Sequence, residues 1–230
     1  INFSVPTGNF GDVYAGYLAK KLGLPINKLI VATNQNDILH RAISEGKYEA
    51  AHVSETISPS MDIQIASNFE RLIYDLNDHD SSQTLDDMKN IKQNGQYIIN
   101  NEKLKKINKD FLSARMSEQQ TLDVIKNIYE KFNMILDPHT AIGYGAFDKH
   151  NLKGNNIVLA TAHPCKFPDA ILKAINLKSD LPDELKFILD EKENYGIIEN
   201  NLKEIKQYIL GKIKWKLKKE IKFQIQNFII

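Results

Sequence analysis

The stretch that decides the fold lies at the start of the chain, where residues 1–23 read INFSVPTGNFGDVYAGYLAKKLG. Ile1–Val5 is a short apolar run typical of a buried strand, and the Pro-Thr-Gly sequence at 6–8 ends it. From Asp12 to Leu22 apolar residues recur at helical spacing, and Gly23 marks the end of that helix. The sequence therefore predicts a strand, a glycine-containing turn and a helix, the first half of a βα unit.

The same alternation continues along the chain. Lys28–Thr33 predicts a second strand and Asp37–Glu45 a helix, and Ile157–Ala160 predicts a later strand, followed by a helix over Pro168–Ile175. Between these pairs the pattern of residues 61–133 is mainly helical, with a predicted capping box formed by a serine at 117 and a glutamine at 120. This alternation predicts an α/β fold, an open and mostly parallel sheet flanked by helices, with a helical insertion.

The two ends of the sequence differ from this body. Ile1 is not an initiator methionine and already lies in a predicted core strand, so we expect a fragment truncated at its amino terminus. Residues 211–230 form an atypical tail of basic and apolar residues, and the predicted domain covers residues 1–210. A basic amphipathic segment can bind a membrane surface, but a solvated helix or extension is the simpler interpretation.

Composition excludes several classes of function. The formal net charge of the 230 residues is +1, so no global field attracts nucleic acid or an anionic bilayer. No run approaches the roughly 18 apolar residues of a membrane-spanning helix. Cys165 is the only cysteine, which excludes an intramolecular disulfide and a multi-cysteine zinc site, and we expect no metal. A reducing, cytoplasmic setting is the simplest expectation.

The strongest local signal for chemistry is the turn Pro-Thr-Gly-Asn-Phe-Gly-Asp at 6–12, between the first strand and the first helix. Gly8 and Gly11 allow the backbone to turn tightly and to approach a ligand. Amides at the following helix start, at the positive end of its dipole, suit a phosphate group. The pattern is neither a P-loop nor a dinucleotide fingerprint. On spacing alone, an ordinary turn with Asp12 as the helix cap is an equally good interpretation.

Three further motifs offer polar side chains. Thr161 and His163 follow a predicted strand, at the sheet edge where α/β proteins bind ligands, but a turn threonine and a loop histidine are the favoured interpretations in isolation. The stretch 58–71 collects hydroxyls, an amide and an arginine at a helix start, where they could hold an anionic substrate or only cap the helix. His139 lies at another predicted helix start and could face a site, the core or solvent.

Four motifs occur together and in one order. They are Pro-Thr-Gly-Asn-Phe-Gly-Asp at 6–12, Ser-Pro-Ser-Met-Asp-Ile-Gln at 58–64 with Ser-Asn-Phe-Glu-Arg-Leu at 67–72, Asp-Pro-His-Thr-Ala at 137–141, and Ala-Thr-Ala-His-Pro at 160–164 with Lys-Phe-Pro at 166–168. In this combination the sequence resembles the threonine synthases of the longer, bacterial and fungal type. The resemblance covers about residues 1–210 and corresponds to a carboxyl-terminal fragment.

The resemblance implies a fold-type-II pyridoxal 5′-phosphate enzyme that converts O-phospho-L-homoserine and water to L-threonine and phosphate. It implies that Thr161 hydrogen-bonds the pyridine nitrogen, where a neutral hydroxyl makes the ring a milder electron sink than a carboxylate would. The residues that it places around the cofactor phosphate are Gly8, Asn9, Phe10, Gly11 and Asp12. The residues expected to contact the substrate are Ser60, Asn68 and Arg71.

The lysine that forms the Schiff base in this family lies between a phenylalanine and an aspartate, and no such sequence occurs here. Lys166 and Lys149 do not fit that context, so the lysine is expected upstream and this chain is expected to be inactive by itself. The alternatives are another fold-type-II enzyme, such as a threonine dehydratase, and a non-catalytic interaction protein derived from the enzyme. Nucleic acid and membrane are not expected partners, and the oligomeric state is left open.

Overall fold

The computed structural model describes residues 1–213, which form two compact units, one over Ile1–Leu181 and a second that begins at Pro182. The strands are β1 (Asn2–Pro6), β2 (Leu29–Thr33), β3 (Lys47–Glu49), β4 (Gln96–Ile98), β5 (Phe111–Arg115) and β6 (Asn156–Val158). The helices are α1 (Gly11–Lys21), α2 (Ile38–Glu45), α3 (Phe69–Leu76), α4 (Ser81–Asn94), α5 (Asn101–Asp110), α6 (Glu118–Phe132), α7 (Pro138–Asp148), α8 (Pro168–Ile175) and, in the second unit, α9 (Leu202–Lys212).

The central sheet of the first unit has four parallel strands in the order β5-β2-β1-β6. Phe3 of β1 lies opposite Leu29 of β2 on one side and opposite Ile157 of β6 on the other, and Leu29 lies opposite Phe111 of β5. Each crossover between neighbouring strands contains at least one helix, as parallel pairing requires. The open, mostly parallel sheet predicted from the sequence is confirmed. β3 and β4 form a separate antiparallel pair.

Apolar side chains cover both faces of this sheet. Along β2, Leu29 and Val31 join a large cluster to which α1, α2 and α3 contribute, whereas Ile30 and Ala32 join a second cluster that includes α7. Successive residues of a strand point to opposite faces, so a strand covered on both sides is apolar at consecutive positions. The buried run Leu-Ile-Val-Ala-Thr of β2 has this pattern.

Most of the predicted elements lie within one or two residues of their expected bounds. The capping box at the start of α6 is confirmed: the Ser117 hydroxyl accepts from the Gln120 amide at 3.2 Å, and the Gln120 side chain accepts from the Ser117 amide at 3.0 Å. The strand expected at Ile157–Ala160 is found as β6 at Asn156–Val158. The main addition is β5, which lies inside the region expected to be mainly helical and forms one edge of the sheet.

The second unit is described from Pro182 to residue 213. A 3-10 helix at Asp183–Leu189 precedes α9, and the Asn201 side chain caps α9 by accepting from the amide of Lys203 at 2.9 Å. The tail predicted at 211–230 falls almost entirely outside the described residues. Among the helices found up to residue 213, none has the length and apolar character needed to cross a membrane.

Candidate functional site

The turn at residues 7–12 joins the carboxyl end of β1 to the start of α1. Phe10 precedes the helix with φ 71°, in the left-handed region, and its fully buried ring meets that of Phe69 edge to face at 5.2 Å. This packing holds a backbone conformation that is uncommon outside glycine. The Gly11 amide donates to the Asn9 side chain at 3.1 Å. Asp12 lies within the first turn of α1 rather than at its cap, and the cap residue Phe10 makes no side-chain capping hydrogen bond.

Gly8 and Gly11 allow a second segment to pack directly on this turn. A Cβ atom at Gly8 would lie 2.7 Å from the carbonyl oxygen of Ser60, closer than side chains tolerate, and one at Gly11 would lie 3.4 Å from Nδ2 of Asn68. The Asn68 amide also donates to the Asn9 carbonyl at 3.0 Å. Close approach therefore requires a glycine at position 8, whereas a Cβ at Gly11 would meet its nearest neighbour, Oδ1 of Asn9, at 3.2 Å, and neither glycine has a positive φ.

Asp62 holds that second segment in place. Its Oδ1 accepts from Nδ2 of Asn34 at 2.7 Å, from Nδ2 of Asn36 at 2.9 Å and from the Thr56 hydroxyl at 2.7 Å, and its Oδ2 accepts from the Thr56 amide at 2.8 Å. Asn34 and Asn36 are buried just beyond the carboxyl end of β2. The carboxylate thus ties the 3-10 turn that contains Ser60 to the edge of the sheet.

A cavity of about 460 Å³ opens where the turn, the Ser60 segment and the chain after β6 meet. Thr161 reaches it because β6 pairs with β1 in parallel, so that the chain leaves both strands at the same edge of the sheet. The sequence-predicted residues that line this cavity together are Gly8, Asn9, Phe10, Gly11, Asp12, Ser60 and Thr161. With His139, which also lines it, residues from all four sequence motifs converge on one space.

Two of the residues expected to contact the substrate lie in a neighbouring cavity. Asn68 and Arg71 line a space of about 790 Å³ between α3 and the start of α4, together with Tyr14 and Ser81. Ser67 lines both cavities, and Asn68 is next to Gly11, so the two spaces adjoin. Ser60 is thus separated from Arg71, although both were expected at one helix start.

A buried Asp–His pair lies at one wall of the first cavity, which its histidine lines. The Asp137 carboxylate accepts from the amide of His139 at 2.9 Å, lies 3.1 Å from Nδ1 of that ring, and also accepts from the Thr140 amide and hydroxyl. Burial acts to raise the pKa of Asp137, but these hydrogen bonds outweigh it and hold the pKa below its usual value. The His139 ring lies 4.8 Å from the ring of Phe167, which also lines the cavity.

Comparison with known proteins agrees with these features. A family model described as "Threonine synthase, C-terminal" matches residues 140–209. Threonine synthases from Pseudomonas aeruginosa and Saccharomyces cerevisiae are 40% and 42% identical over 91% and 86% of this chain. A PLP-bound threonine synthase structure from Brucella melitensis superposes with a TM-score of 0.84 at 42% identity and covers 91% of this chain. The chain belongs to the threonine synthase family. It spans about 45% of the length of these relatives.

The two lysines singled out in the sequence lie in different places in this threonine synthase-family chain. Lys149 donates to the carbonyl of Arg115 at 2.7 Å, away from the cavity, and burial together with the Arg115 guanidinium lowers its pKa. Lys166 lines the cavity, and its ammonium lies 6.0 Å from the centre of the Phe167 ring. His163 is exposed and accepts from the Cys165 amide at 3.2 Å, so it acts as a local cap.

The sequence left His139 undecided and did not single out Phe167 for the cavity. The usable signal for His139 was the Asp-x-His spacing at a helix start, where the aspartate caps the helix and can also bond the imidazole. Whether that imidazole faces the cavity, the core or solvent depends on how α7 packs. Phe167 has no local signal beyond its place in the Lys-Phe-Pro motif.

Proposed function

We propose that this chain forms one side of the pyridoxal 5′-phosphate site of a threonine synthase, an enzyme that converts O-phospho-L-homoserine and water to L-threonine and phosphate. The observation that carries the proposal is the turn at 7–12, which begins α1 at the wall of the cavity that Thr161 also lines. The related structure from Brucella melitensis is PLP-bound, which supports the assignment of the cofactor.

The residues present fit a phosphorylated ring. The amides at the start of α1, at the positive end of its dipole, are suitable donors to a phosphate dianion, and the lack of a side chain at Gly8 lets the Ser60 segment pack against the turn. The volume of about 460 Å³ lies within the usual range for small-molecule sites. Thr161 offers a neutral hydroxyl to a ring nitrogen. When bound, the cofactor supplies an electron sink for proton loss from the substrate carbons.

The substrate is assigned to the side of the site nearest the second cavity. The Arg71 guanidinium can bind a phosphate through two parallel hydrogen bonds, and Asn68 lies between Arg71 and the turn. Ser60, which lines the first cavity, is assigned to the same ligand through its hydroxyl. The Schiff-base lysine is assigned to sequence upstream of this chain, and cytoplasm is the proposed compartment because the only cysteine is a free thiol.

Activity can be tested by joining this chain to the amino-terminal part of the Pseudomonas aeruginosa relative that precedes the matched region. We expect the joined protein to release inorganic phosphate from O-phospho-L-homoserine and to form threonine. Release of ammonia from threonine without phosphate release would favour a dehydratase instead. Gly8→Ala should abolish cofactor binding, because its Cβ would collide with the Ser60 carbonyl.

Gly211→Ala is the matched control for that substitution, since a Cβ at Gly211 meets nothing within 4 Å and lies in the second unit. Cofactor retention at normal affinity in Gly8→Ala would contradict the assignment of the turn. Equal losses in both variants would show that the effect is general destabilisation and not a property of the site.

A further inference from the structure

His139 carries an unexplained polar atom at the candidate site. The residue is 4% exposed and lines the first cavity, and its Nε2 is buried with no hydrogen-bond partner among the described residues. Buried side-chain nitrogens are nearly always satisfied, because an unpaired one loses its hydration without compensation. Along the described chain only one other buried side-chain atom, the hydroxyl of Thr33, shares this condition. We therefore expect this nitrogen to have a hydrogen-bond partner that the described residues do not supply.

Asp137 determines which kind of partner that is. Its carboxylate lies 3.1 Å from Nδ1 of His139, and hydrogen bonds from the His139 and Thr140 amides stabilise its charged form. A carboxylate only accepts, so Nδ1 carries a proton and donates it to Asp137. In the neutral imidazole, Nε2 is then left with its lone pair. The neutral ring consequently has an acceptor, and not a donor, at Nε2.

We propose that Nε2 of His139 accepts a hydrogen bond from an N–H or O–H group at the ring end of the ligand that fills this cavity. The inference rests on the proposed function, because it takes a phosphorylated pyridine as the ligand. The phosphate end does not fit, since a dianionic phosphate offers only acceptors to the lone pair. The amides at the start of α1 are the donors that match the phosphate. The phosphate end of the ligand would therefore accept hydrogen bonds, and the ring end would donate one.

Pyridoxamine 5′-phosphate is a suitable probe for this chain, because it carries N–H donors and needs no lysine to bind. We compare its dissociation constant, by fluorescence titration of the joined protein described above, with this chain unsubstituted, with His139→Asn and with His139→Gln. Asparagine reproduces Nδ1 and can still donate to Asp137, whereas glutamine places a carbonyl oxygen near the position of Nε2. We expect His139→Asn to weaken binding by about 3- to 10-fold, as for the loss of one hydrogen bond, and His139→Gln to recover most of it.

Two measurements separate this effect from a structural one. Binding of inorganic phosphate, which lacks the ring, should be equal in all three proteins, because the turn holds it. His79→Asn serves as the matched control, since His79 forms an exposed i,i+4 pair with Asp75 at 3.1 Å and adopts a positive φ that asparagine tolerates. In the unsubstituted chain, the nitrogen-15 resonance of the unprotonated Nε2 should shift when pyridoxamine 5′-phosphate is added and stay in place with inorganic phosphate.

The outcomes distinguish the two proposals. If the unsubstituted chain binds neither pyridoxamine 5′-phosphate nor inorganic phosphate, the proposed function fails and this inference fails with it. If the unsubstituted chain binds both and His139→Asn retains full affinity for pyridoxamine 5′-phosphate, only the inference is overturned. A parallel loss of inorganic phosphate binding in His139→Asn would also overturn it, because the histidine would then act through the turn.

Discussion

Replacement of Asp62 by asparagine tests whether the polar cluster behind the cavity organises the site. The change keeps the shape of the side chain but removes its charge and turns one acceptor oxygen into a donor. The least harmful orientation places the new NH₂ group at Oδ2, against the Thr56 amide, and leaves three bonds to the remaining oxygen. Those three bonds lose the contribution of the charge, and the Thr56 amide loses its partner.

A buried donor without a partner costs about 1–3 kcal/mol, and a bond to a neutral acceptor is weaker than one to a charged acceptor by about 1 kcal/mol. Because Asp62 is partly exposed, we expect the free energy of unfolding to fall by about 2–4 kcal/mol and not by the full sum. The affinity for pyridoxamine 5′-phosphate should fall as well, since the Ser60 carbonyl that packs on Gly8 would lose its anchor.

Urea denaturation followed by circular dichroism measures the first quantity, and fluorescence titration the second. Asp86→Asn is the matched control, because Asp86 is exposed and makes one ion pair with Lys89 at 3.3 Å, worth less than about 1 kcal/mol. The reasoning is refuted if the free energies of unfolding of Asp62→Asn and Asp86→Asn differ by less than about 0.5 kcal/mol and Asp62→Asn binds the probe normally. The hydrogen bonds of Asp62 would then not hold the site together.

Four further outcomes are expected. In the joined enzyme, Arg71→Gln should raise KM for O-phospho-L-homoserine about tenfold or more with little change in cofactor affinity, because a charge-assisted phosphate contact is lost. Thr161→Ala should lower kcat more than it weakens cofactor retention, and unchanged turnover would contradict the role of its hydroxyl. Ser117→Ala should reduce the free energy of unfolding by about 0.5–2 kcal/mol in urea, through loss of the capping box. Burial raises the pKa of Tyr48 to about 12 from 10.0, so the stability that the neutral phenol contributes is complete below about pH 10 and is lost as the pH rises towards 12. The free energy of unfolding of Tyr48→Phe should therefore fall less steeply with pH between about 10 and 12 than that of the unsubstituted chain.

The half of the fold around the turn could be predicted because its signals are strong and local. An apolar run, a proline and two glycines mark the end of β1 and the start of α1 within a few residues. The edge rule for parallel strands predicted that Thr161 would lie at the ligand-binding edge of the sheet, and in the structure it lines the same cavity as this turn, although about 150 residues separate them. Neither inference needed side-chain packing, because backbone geometry alone determines where parallel strands end.

β5 shows where local signals fail. Helix α5 ends at Asp110 and the strand begins at Phe111, with no glycine or proline between them, so the change from a helical to an extended backbone leaves no mark in the sequence. Five residues are also too few for an alternating pattern to stand out from the helices on either side. The strand forms because it can pair along the edge of β2, where Phe111 lies opposite Leu29.

The position of His139 depended on packing in the same way. Gly143, one turn further along α7, lets that helix lie directly on the sheet, because a Cβ there would be 3.0 Å from Val158 and 3.1 Å from Pro6. The Gly143 carbonyl accepts from the Ser4 hydroxyl at 2.5 Å, which fixes the helix against β1. This close contact turns the start of α7 towards the cavity. A glycine in a helix indicates close packing but does not indicate against which partner.

On the proposals above, the cavity is polar in opposite senses at two places. Backbone amides at the start of α1 present donors to it, and they favour an anion because the helix dipole is positive there. The proposed acceptor is Nε2 of His139, because Nδ1 of that ring donates to the Asp137 carboxylate. A ligand that satisfies both needs an anionic group at one end and an N–H or O–H group at the other. Inorganic phosphate meets only the first requirement, so a phosphorylated ring bearing a donor should bind more tightly than phosphate, and equal affinities for the two would contradict this account of the cavity.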